Sequence, residues 1–305
     1  MFQRTPVVAV EHPAVELHAK LEFHNPIGSI KDRAAYWMLR RAIERGEVTE
    51  RSTIVESSSG NLAIALAAFC RLLGLEFIPV IDPNITPAYE SVLRRWCRTL
   101  VRVEERDATG GYLLTRLAAV EKLCETVPFA YWTNQYANRD SVEAHYQLTG
   151  GEIAEQLPRL DAIFIGVSTG GTLAGVSRRM RERFPGICII AVDAVGSVIF
   201  GGSPRKRHLP GLGSSIVPGL LGTGAQDEVI HVAERDAASA CRALFHEHGI
   251  FAGGSSGSAF HAARTYPWHR TADGRRPVAL FLCADGGAPY LDTLYDDVWT
   301  QRLER

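Results

Sequence analysis

The amino-acid sequence predicts an α/β protein built on largely parallel sheets. Short apolar runs of strand length alternate with longer stretches whose apolar residues recur at helical spacing, which is the pattern of βαβ units. Small, hydroxyl-rich loops stand at the junctions, where parallel sheets place their ligand-binding loops. The chain has 305 residues, enough for one large domain or two modest ones with a buried core.

The first half of the chain supplies alternating helices and strands. The run GNLAIALAAFCRLLG predicts an apolar helix that ends at Gly74, and LEFIPVI follows as a buried strand. TPAYESVLRRWC predicts an amphipathic helix with Pro87 in its first turn, a position that tolerates proline. TLVRVE predicts another strand and GGYLLTRLAAVEKLCETV another helix. The polar region Asn134 to Ser141, after the strand-like FAYWT, is a candidate hinge between two lobes.

The second half repeats this alternation. DAIFIGV, CIIAVDAV and PVALFLC predict strands, while GTLAGVSRRMRERF and DAASACRALFHEHG predict helices. The segment from Gly201 to Gly219 is rich in glycine, proline and basic residues, so we expect a loop.

Composition and charge exclude several classes of function. The net charge of −1 gives no electrostatic reason to expect nucleic acid or an anionic membrane as partner. No apolar run reaches the roughly 18 residues of a membrane span, and the start of the chain lacks a signal-peptide pattern. Six scattered cysteines form no CxxC, and no HExxH occurs. We therefore expect a cytoplasmic protein with reduced thiols and no metal site.

Three loops with small and hydroxyl side chains are candidate ligand sites: residues 56–63, 166–175 and 252–259. In the second loop, Gly170 and Gly171 permit close backbone approach, and the helix that follows offers free N–H groups and a positive dipole end. Phosphate is the usual ligand of such a site, although a tight turn that only requires glycine remains open.

The same loop also fits the G-x-S-x-G pattern of a hydrolase nucleophile, with Ser168 at its centre. That interpretation needs a later acid and histidine. No histidine follows Asp285, and no HGGG-like oxyanion loop precedes the serine, so a hydrolase is disfavoured.

The stretch FHNPIGSIKDRAAYW places Lys31 at the start of an amphipathic run, where its charge opposes the helix dipole. A lysine in this position, together with a phosphate-binding loop, suggests pyridoxal 5′-phosphate (PLP), whose aldehyde forms a Schiff base with lysine. Alternatively, Lys31 is a surface lysine and Asp32 simply caps the helix. The two interpretations are compatible.

Six motifs in order resemble the cysteine synthase family of PLP enzymes, which has the tryptophan-synthase-β-like fold (fold type II): TPVV, NPIGSIKDRAA, SSSGNLAIALA, TNQYAN, GVSTGGT and GGSSGSA. The resemblance covers nearly the whole chain. It implies a homodimer of chains with two three-layer α/β lobes. Residues 1–25 plus 138–305 would form the larger, PLP-binding lobe. Residues 26–137 would form a smaller, mobile lobe carrying the substrate-carboxylate loop.

The resemblance also implies residue roles. Lys31 would carry the internal aldimine and shuttle the substrate's α-proton, Asn61 would bond the 3′-oxygen of PLP, and Ser255 would meet the pyridine nitrogen. The phosphate would be held by Ser168, Thr169, Gly170, Gly171 and Thr172. The α-carboxylate of the substrate would be held by Ser58, Ser59, Gly60 and Gln135.

A serine at the pyridine nitrogen favours one class of reaction. A hydroxyl does not keep that nitrogen protonated as a carboxylate would, so PLP is a weaker electron sink and transamination is disfavoured. We therefore expect β-replacement on a serine derivative, through an aminoacrylate and by a ping-pong course.

Several positions depart from ordinary cysteine synthases. Ser58 and Leu62 stand where the family has threonine, and Ser168 where it has glycine. The lost hydroxyl at Leu62 means that sulfide need not be the nucleophile. The segments GSVIFGGSPRKRHLPGLGSS and ADGGAPYLDTLYDDVW resemble one branch in particular. That branch joins O-phospho-L-serine to L-glutamate, giving N-(2-amino-2-carboxyethyl)-L-glutamate on the way to 2,3-diaminopropionate for siderophores and some antibiotics.

Two further substrate contacts are predicted, each with an open alternative. The basic run Arg205–Lys206–Arg207–His208 suits anionic substrates, with Arg207 as the predicted contact, but charge runs are more often solvated loops. Tyr136 either lines the substrate pocket or only packs against its neighbours.

A cysteine synthase acting on O-acetylserine or O-phosphoserine is the alternative function. A non-catalytic member is the third possibility, and the intact Lys31 argues against it.

Overall fold

This computed structural model describes residues 2–223 and 226–303. The strands are β1 (Val7–Val10), β2 (Glu16–Leu21), β3 (Thr53–Ser57), β4 (Glu76–Ile81), β5 (Val101–Arg102), β6 (Ala130–Trp132), β7 (Ala162–Gly166), β8 (Cys188–Ala194), β9 (Glu228–Val232) and β10 (Val278–Cys283). The helices are α1 (Lys31–Glu44), α2 (Asn61–Leu73), α3 (Pro87–Trp96), α4 (Leu113–Thr126), α5 (Arg139–Ala144), α6 (Gly151–Gln156), α7 (Gly171–Arg183), α8 (Glu234–His248), α9 (Gly254–Thr265) and α10 (Asp297–Thr300).

The strands form two separate sheets. The larger has the order β1-β2-β10-β7-β8-β9, and the smaller has the order β5-β4-β3-β6. All neighbours pair in parallel except β1 and β2, which are antiparallel. β10 and β7 are buried along nearly their whole length, as expected for central strands covered by helices on both faces. The predicted α/β class with largely parallel sheets is confirmed.

Helices α2 and α3 show how local sequence fixes the boundaries. Nine consecutive residues of α2, from 62 to 70, are buried, so this helix packs on all sides. It ends at Gly74, whose φ of +71° is the left-handed conformation that glycine adopts most readily. α3 begins after Thr86, whose side chain accepts a hydrogen bond from the Tyr89 N–H.

The loop at residues 252–259 differs from its sequence-based interpretation. We expected it at a strand-to-helix junction, but it joins α8 to α9, and Ser255 already lies in the first turn of α9. Only Ala252 forms a bridge, with Gly286 after β10. A single bridge brings this loop to the edge where β10 ends, so it reaches the ligand-binding edge of the sheet without following a strand.

A buried ion network ties the start of α1 to the larger sheet. The Arg33 side chain is fully buried and pairs with Glu22 (Nε to Oε2, 2.6 Å) and with Glu152 (Nη1 to Oε1, 2.7 Å). Lys20 on β2 pairs with the same Glu152 at 2.7 Å, and the Thr5 hydroxyl donates to Glu22 at 2.7 Å. Each buried charge is therefore matched by opposite charges and hydrogen bonds.

The described residues contain neither a membrane-spanning helix nor a group of side chains suited to a metal ion. Within 2–223 and 226–303, no helix is long and apolar enough to cross a membrane. The same residues contain no group of three or more His, Cys, Asp or Glu side chains that could hold a metal ion.

Replacing Arg33 should show how much the buried ion network contributes to the free energy of unfolding. We expect Arg33→Ala to lower the free energy of unfolding by about 3–5 kcal/mol, because it leaves Glu22 buried without a cationic partner and Glu152 paired with Lys20 alone. Arg40→Ala, on the same helix, removes an exposed pair with Glu44 and should cost less than about 1 kcal/mol. Urea unfolding of both variants measures the difference, and equal losses would contradict the importance of the network.

Candidate cofactor site and active-site cleft

A single cavity collects most of the residues predicted to bind the cofactor. Its lining includes Lys31, Asn61, Ser168, Thr169, Gly170, Thr172 and Ser255, together with Asp285. These residues come from the starts of α1, α2, α7 and α9 and from the end of β10. The cavity therefore lies where helix N-termini converge beyond the carboxyl ends of the strands.

Lys31 is the first residue of α1 and lines this cavity. Burial lowers the pKa of its amine, and the nearby Asp285 carboxylate acts in the opposite direction. The positive end of the helix also disfavours a charged amine here. A lysine whose pKa is lowered has more of the neutral form, which attacks a carbonyl.

The turn before Lys31 is held by Asp32. Its Oδ2 accepts hydrogen bonds from the backbone N–H groups of Ile27 at 2.7 Å and Gly28 at 3.1 Å. Burial raises the pKa of Asp32 to about 6, although these hydrogen bonds oppose the rise. Gly28 has φ +110°, a left-handed conformation that suits glycine. Asp32 therefore holds the turn before α1 rather than capping the helix, whose N-cap Ile30 has no side-chain hydrogen bond, and Lys31 faces the cavity.

The loop before α7 has the structure of an anion cradle. Gly170 has φ +86°, and a Cβ on Gly171 would lie 2.2 Å from the Ser141 hydroxyl oxygen, so a side chain does not fit there. The first N–H groups of α7, a helix of 13 residues, have no intrahelical acceptors. With the hydroxyls of Thr169 and Thr172 beside them, this donor set fits the phosphate of PLP.

Asn61 and Asp285 link the two sheets across the cavity. The Asn61 side-chain amide donates to Asp285 Oδ2 at 2.8 Å, and Tyr290 donates to the same oxygen at 2.6 Å. The Tyr89 hydroxyl donates to Asn61 Oδ1. The other oxygen of Asp285 is buried and has no hydrogen-bond partner among the described residues. Such an orphaned acceptor is consistent with a polar ligand in this cavity.

His145 contacts the anion cradle through Thr172, and the sequence analysis did not predict this contact. It begins a π-helical segment (His145–Gly150), and its ring is buried between two hydroxyls. Nδ1 lies 3.0 Å from the Thr149 Oγ1, and Nε2 lies 3.2 Å from the Thr172 Oγ1. Burial, reinforced by Lys31 and Arg33, lowers the pKa of His145 well below its usual range. A neutral imidazole therefore orients the Thr172 hydroxyl. A lone histidine in a helix gave no sequence signal for this role.

The predicted substrate-carboxylate loop, Ser58 to Gly60, lies between β3 and α2. Ser59 Oγ donates to Asp82 Oδ2 at 3.1 Å and accepts from Arg116 Nη1 at 3.1 Å. Gln135 is placed beside this loop, because its side-chain amide donates to the Ser57 carbonyl at 2.9 Å. These predicted residues thus form a connected cluster.

Arg116 is the second residue that the sequence analysis missed. It lies on the apolar helix α4, pairs with Asp82 at 3.2 Å and bonds Ser59. Its side chain is only 12% exposed, and its Nε is buried without a partner among the described residues. The sequence contains no signal for this residue, because its contacts with Asp82 and Ser59 form only in the folded chain.

Two arginines act electrostatically on Tyr136. Burial raises the pKa of the Tyr136 phenol, while the positive charges of Arg116 and Arg207 lower it. Arg207 is half-buried, whereas Arg205, Lys206 and His208 are exposed. The basic run is therefore not uniform: Arg207 turns inward, and the other three residues face solvent.

The buried His145 should make the free energy of unfolding depend on pH below about 6.5. Because its pKa is lowered on folding from about 6.5, the unfolded state binds more protons below that pH. Stability should therefore rise with pH towards 6.5, with a contribution of up to about 1.4 kcal/mol per pH unit. His145→Asn should remove that contribution in urea unfolding from pH 5 to 7, and His246→Asn, at an exposed position, should not. An unchanged slope in His145→Asn would contradict a buried, neutral imidazole.

Among the curated proteins similar to this chain, two from different organisms carry the same name. The chain is 47% identical over 290 residues to an N-(2-amino-2-carboxyethyl)-L-glutamate synthase of Ralstonia nicotianae, covering 94% of this chain and 85% of that protein. It is 45% identical over 290 residues, with the same coverages, to a protein of that name from Cupriavidus metallidurans. The resemblance drawn from the motifs is confirmed.

Solved structures and a family model agree with these relatives. An O-acetylserine-dependent cystathionine β-synthase from Helicobacter pylori is 28% identical, with a TM-score of 0.87 over 95% of each chain. An O-ureido-L-serine synthase variant bound to O-ureido-L-serine is also 28% identical, with a TM-score of 0.87 over 97% of this chain and 92% of that chain. The model of the pyridoxal-phosphate-dependent enzyme family matches residues 2–283. The chain therefore belongs to the family of pyridoxal-phosphate-dependent enzymes.

Proposed function

We propose that this protein joins O-phospho-L-serine to L-glutamate, giving N-(2-amino-2-carboxyethyl)-L-glutamate for 2,3-diaminopropionate biosynthesis. The C–O bond of the phosphoserine breaks, and phosphate leaves with the electron pair. A C–N bond forms to the glutamate nitrogen, whose displaced proton goes to the phosphate. The observation that carries the proposal is a cavity lined both by Lys31 and by the anion cradle before α7. The names of the two relatives support the same reaction.

PLP is the proposed cofactor, because the donor set of the cavity fits it. When bound, PLP supplies an aldehyde and an electron sink for bonds at the α-carbon of an amino acid. Lys31 would hold the cofactor and move the α-proton at Nζ, and its lowered pKa suits that task. Binding of the remaining cofactor groups is proposed for Asn61, Ser168, Thr169, Gly170, Gly171, Thr172 and Ser255.

The serine derivative would be held in the cluster around the Ser58–Gly60 loop. We propose that Ser58, Ser59, Gly60 and Gln135 bind its α-carboxylate. Arg116 is bonded to Ser59, so a phosphate ester on the same substrate lies within its reach, and guanidinium binds phosphate strongly. Tyr136 would line the same pocket.

The quaternary and domain organisation belongs to the same proposal. We propose a homodimer that acts in the cytoplasm on small amino-acid substrates. The six cysteines are free thiols, in keeping with a reducing compartment. We also propose a larger lobe of residues 1–25 plus 138–305 and a smaller lobe of residues 26–137, since the sheet from β3 to β6 lies wholly within the latter range.

A substrate comparison tests the reaction. The holoenzyme incubated with O-phospho-L-serine and L-glutamate should release phosphate and form the adduct in equal amounts, measured by phosphate assay and mass spectrometry. With sulfide in place of glutamate, we expect little cysteine, because sulfide has no distal carboxylate for a cation of the cleft to bind. Efficient cysteine formation without any glutamate adduct would instead establish the alternative, a cysteine synthase.

The role of Lys31 has a spectroscopic test. Lys31→Ala should lose the visible absorption of lysine-bound PLP and at least about 10²-fold of its turnover, because within residues 2–223 and 226–303 no other lysine lines the cavity. Lys122→Ala, which removes an exposed lysine on α4, should keep both properties. An unchanged spectrum in Lys31→Ala would exclude this lysine as the cofactor's attachment point.

A further inference from the structure

We infer that Arg207 binds the side-chain carboxylate of the nucleophile and so selects a dicarboxylic amino acid such as glutamate. The inference rests on the proposed function and adds a specificity residue for its second substrate. It follows from three features of Arg207: its unmatched charge, its place beside the cofactor cavity, and its separation from the residues assigned to the first substrate.

The charge of Arg207 has no close counter-ion. Its guanidinium is half-buried, yet no carboxylate oxygen among residues 2–223 and 226–303 lies within 4.0 Å of it. It donates only to neutral acceptors, the Leu212 carbonyl at 3.4 Å and the Ser215 hydroxyl at 3.2 Å. Its Nε is buried and without a partner in the same part of the chain. A partly buried cation in this state is stabilised by an incoming anion.

Arg207 also contacts the loop that covers the cofactor cavity. This loop, residues 211–215, lies against the phosphate-binding loop: the Gly213 N–H donates to the Val167 carbonyl at 2.8 Å, and Ser168 Oγ donates to the Gly213 carbonyl at 3.4 Å. Gly211 lines the cavity that holds Lys31. An anion bound to Arg207 would therefore sit at the edge of the reaction site.

Glycine at position 213 is what allows this placement. Its φ is +73°, and a Cβ there would lie 2.2 Å from the Arg207 Nη1. The guanidinium thus packs directly against loop backbone that has no side chain to displace it.

The two arginines that act electrostatically on Tyr136 differ in their surroundings. Arg116 is bonded to the substrate-carboxylate loop and paired with Asp82, so it belongs to the side of the cleft that holds the serine derivative. Arg207 comes from the larger sheet's side, on the segment after β8, and is unpaired. In a two-substrate reaction in which phosphate leaves before glutamate arrives, these positions suit the leaving phosphate and the incoming carboxylate, respectively.

A purely structural role for Arg207 is the competing explanation. Asp193 and Glu234 attract its charge from beyond ion-pair distance, and its two hydrogen bonds could serve only to hold the 211–215 loop. Loss of a loop clamp would impair every nucleophile alike. Loss of a carboxylate-binding group would impair glutamate but spare its uncharged analogue, glutamine.

The test uses the holoenzymes of wild type, Arg207→Gln and Lys206→Gln. Lys206 is the matched control, because it is exposed in the same basic run and its loss changes the net charge equally. One measurement is the burst of phosphate released from O-phospho-L-serine without a nucleophile. The other is kcat/KM for L-glutamate and for L-glutamine as nucleophile, with adduct formation followed by mass spectrometry.

In Arg207→Gln we expect the phosphate burst to stay within about twofold of wild type. The kcat/KM for glutamate should fall by about 10–100-fold, the effect of losing one charge-assisted hydrogen-bonded contact. The value for glutamine should change little, so the preference for glutamate disappears. Lys206→Gln should keep that preference.

Three results would overturn the inference. Equal losses for glutamate and glutamine would assign Arg207 to holding the loop. A slowed phosphate burst would assign it to the first substrate. An unchanged preference for glutamate would remove it from recognition altogether. A wild-type enzyme that releases phosphate but forms no adduct with glutamate would instead contradict the proposed function, and that result is recognised before any variant is compared.

Discussion

Arg33 stands two residues after Lys31 and forms ion pairs with the buried Glu22 and the partly buried Glu152. Removing such charges from water costs several kcal/mol for each ion, and the cost is offset only when every partner is in place. The network therefore has one favourable arrangement. Because Glu22 follows β2 of the larger sheet, this arrangement fixes where α1 begins and so where Lys31 enters the cavity.

The electrostatics of the cavity depend on that placement. Burial lowers the pKa of Lys31 and raises that of Asp285, so each group is shifted towards its neutral form, while their mutual attraction limits both shifts. Asn61 completes the arrangement by donating to Asp285 while it accepts from Tyr89. Residues that follow strands of both sheets thus meet at one carboxylate, and a change in the position of either sheet alters the surroundings of the lysine.

The sequence predicted correctly those helices whose boundaries are set by residues next to them in the chain. α2 and α7 were found from helical spacing, glycine positions and their flanking loops, and their bounds differ little from expectation. The roles of His145 and Arg116 were not predicted, because each depends on a residue distant in the sequence. His145 contacts Thr172, and Arg116 bonds Ser59. The loop at 252–259 was assigned to a strand end because spacing alone does not show which element precedes a turn. Arg207 was singled out within the basic run, and the fold supplies a physical difference, because Arg207 is half-buried and its neighbours in the run are exposed.

The charges of the cleft are balanced unequally before any substrate arrives. Arg116 pairs with Asp82 at 3.2 Å, whereas Lys31 is attracted to Asp285 without forming a close ion pair. Arg207 has only the longer-range attraction of buried or distant acids. A cleft with this distribution favours ligands that carry one more negative group than the reaction itself requires. An amino acid with a second carboxylate meets that condition, whereas sulfide, a small ion without a distal charged group, does not reach from the reacting carbon to Arg207.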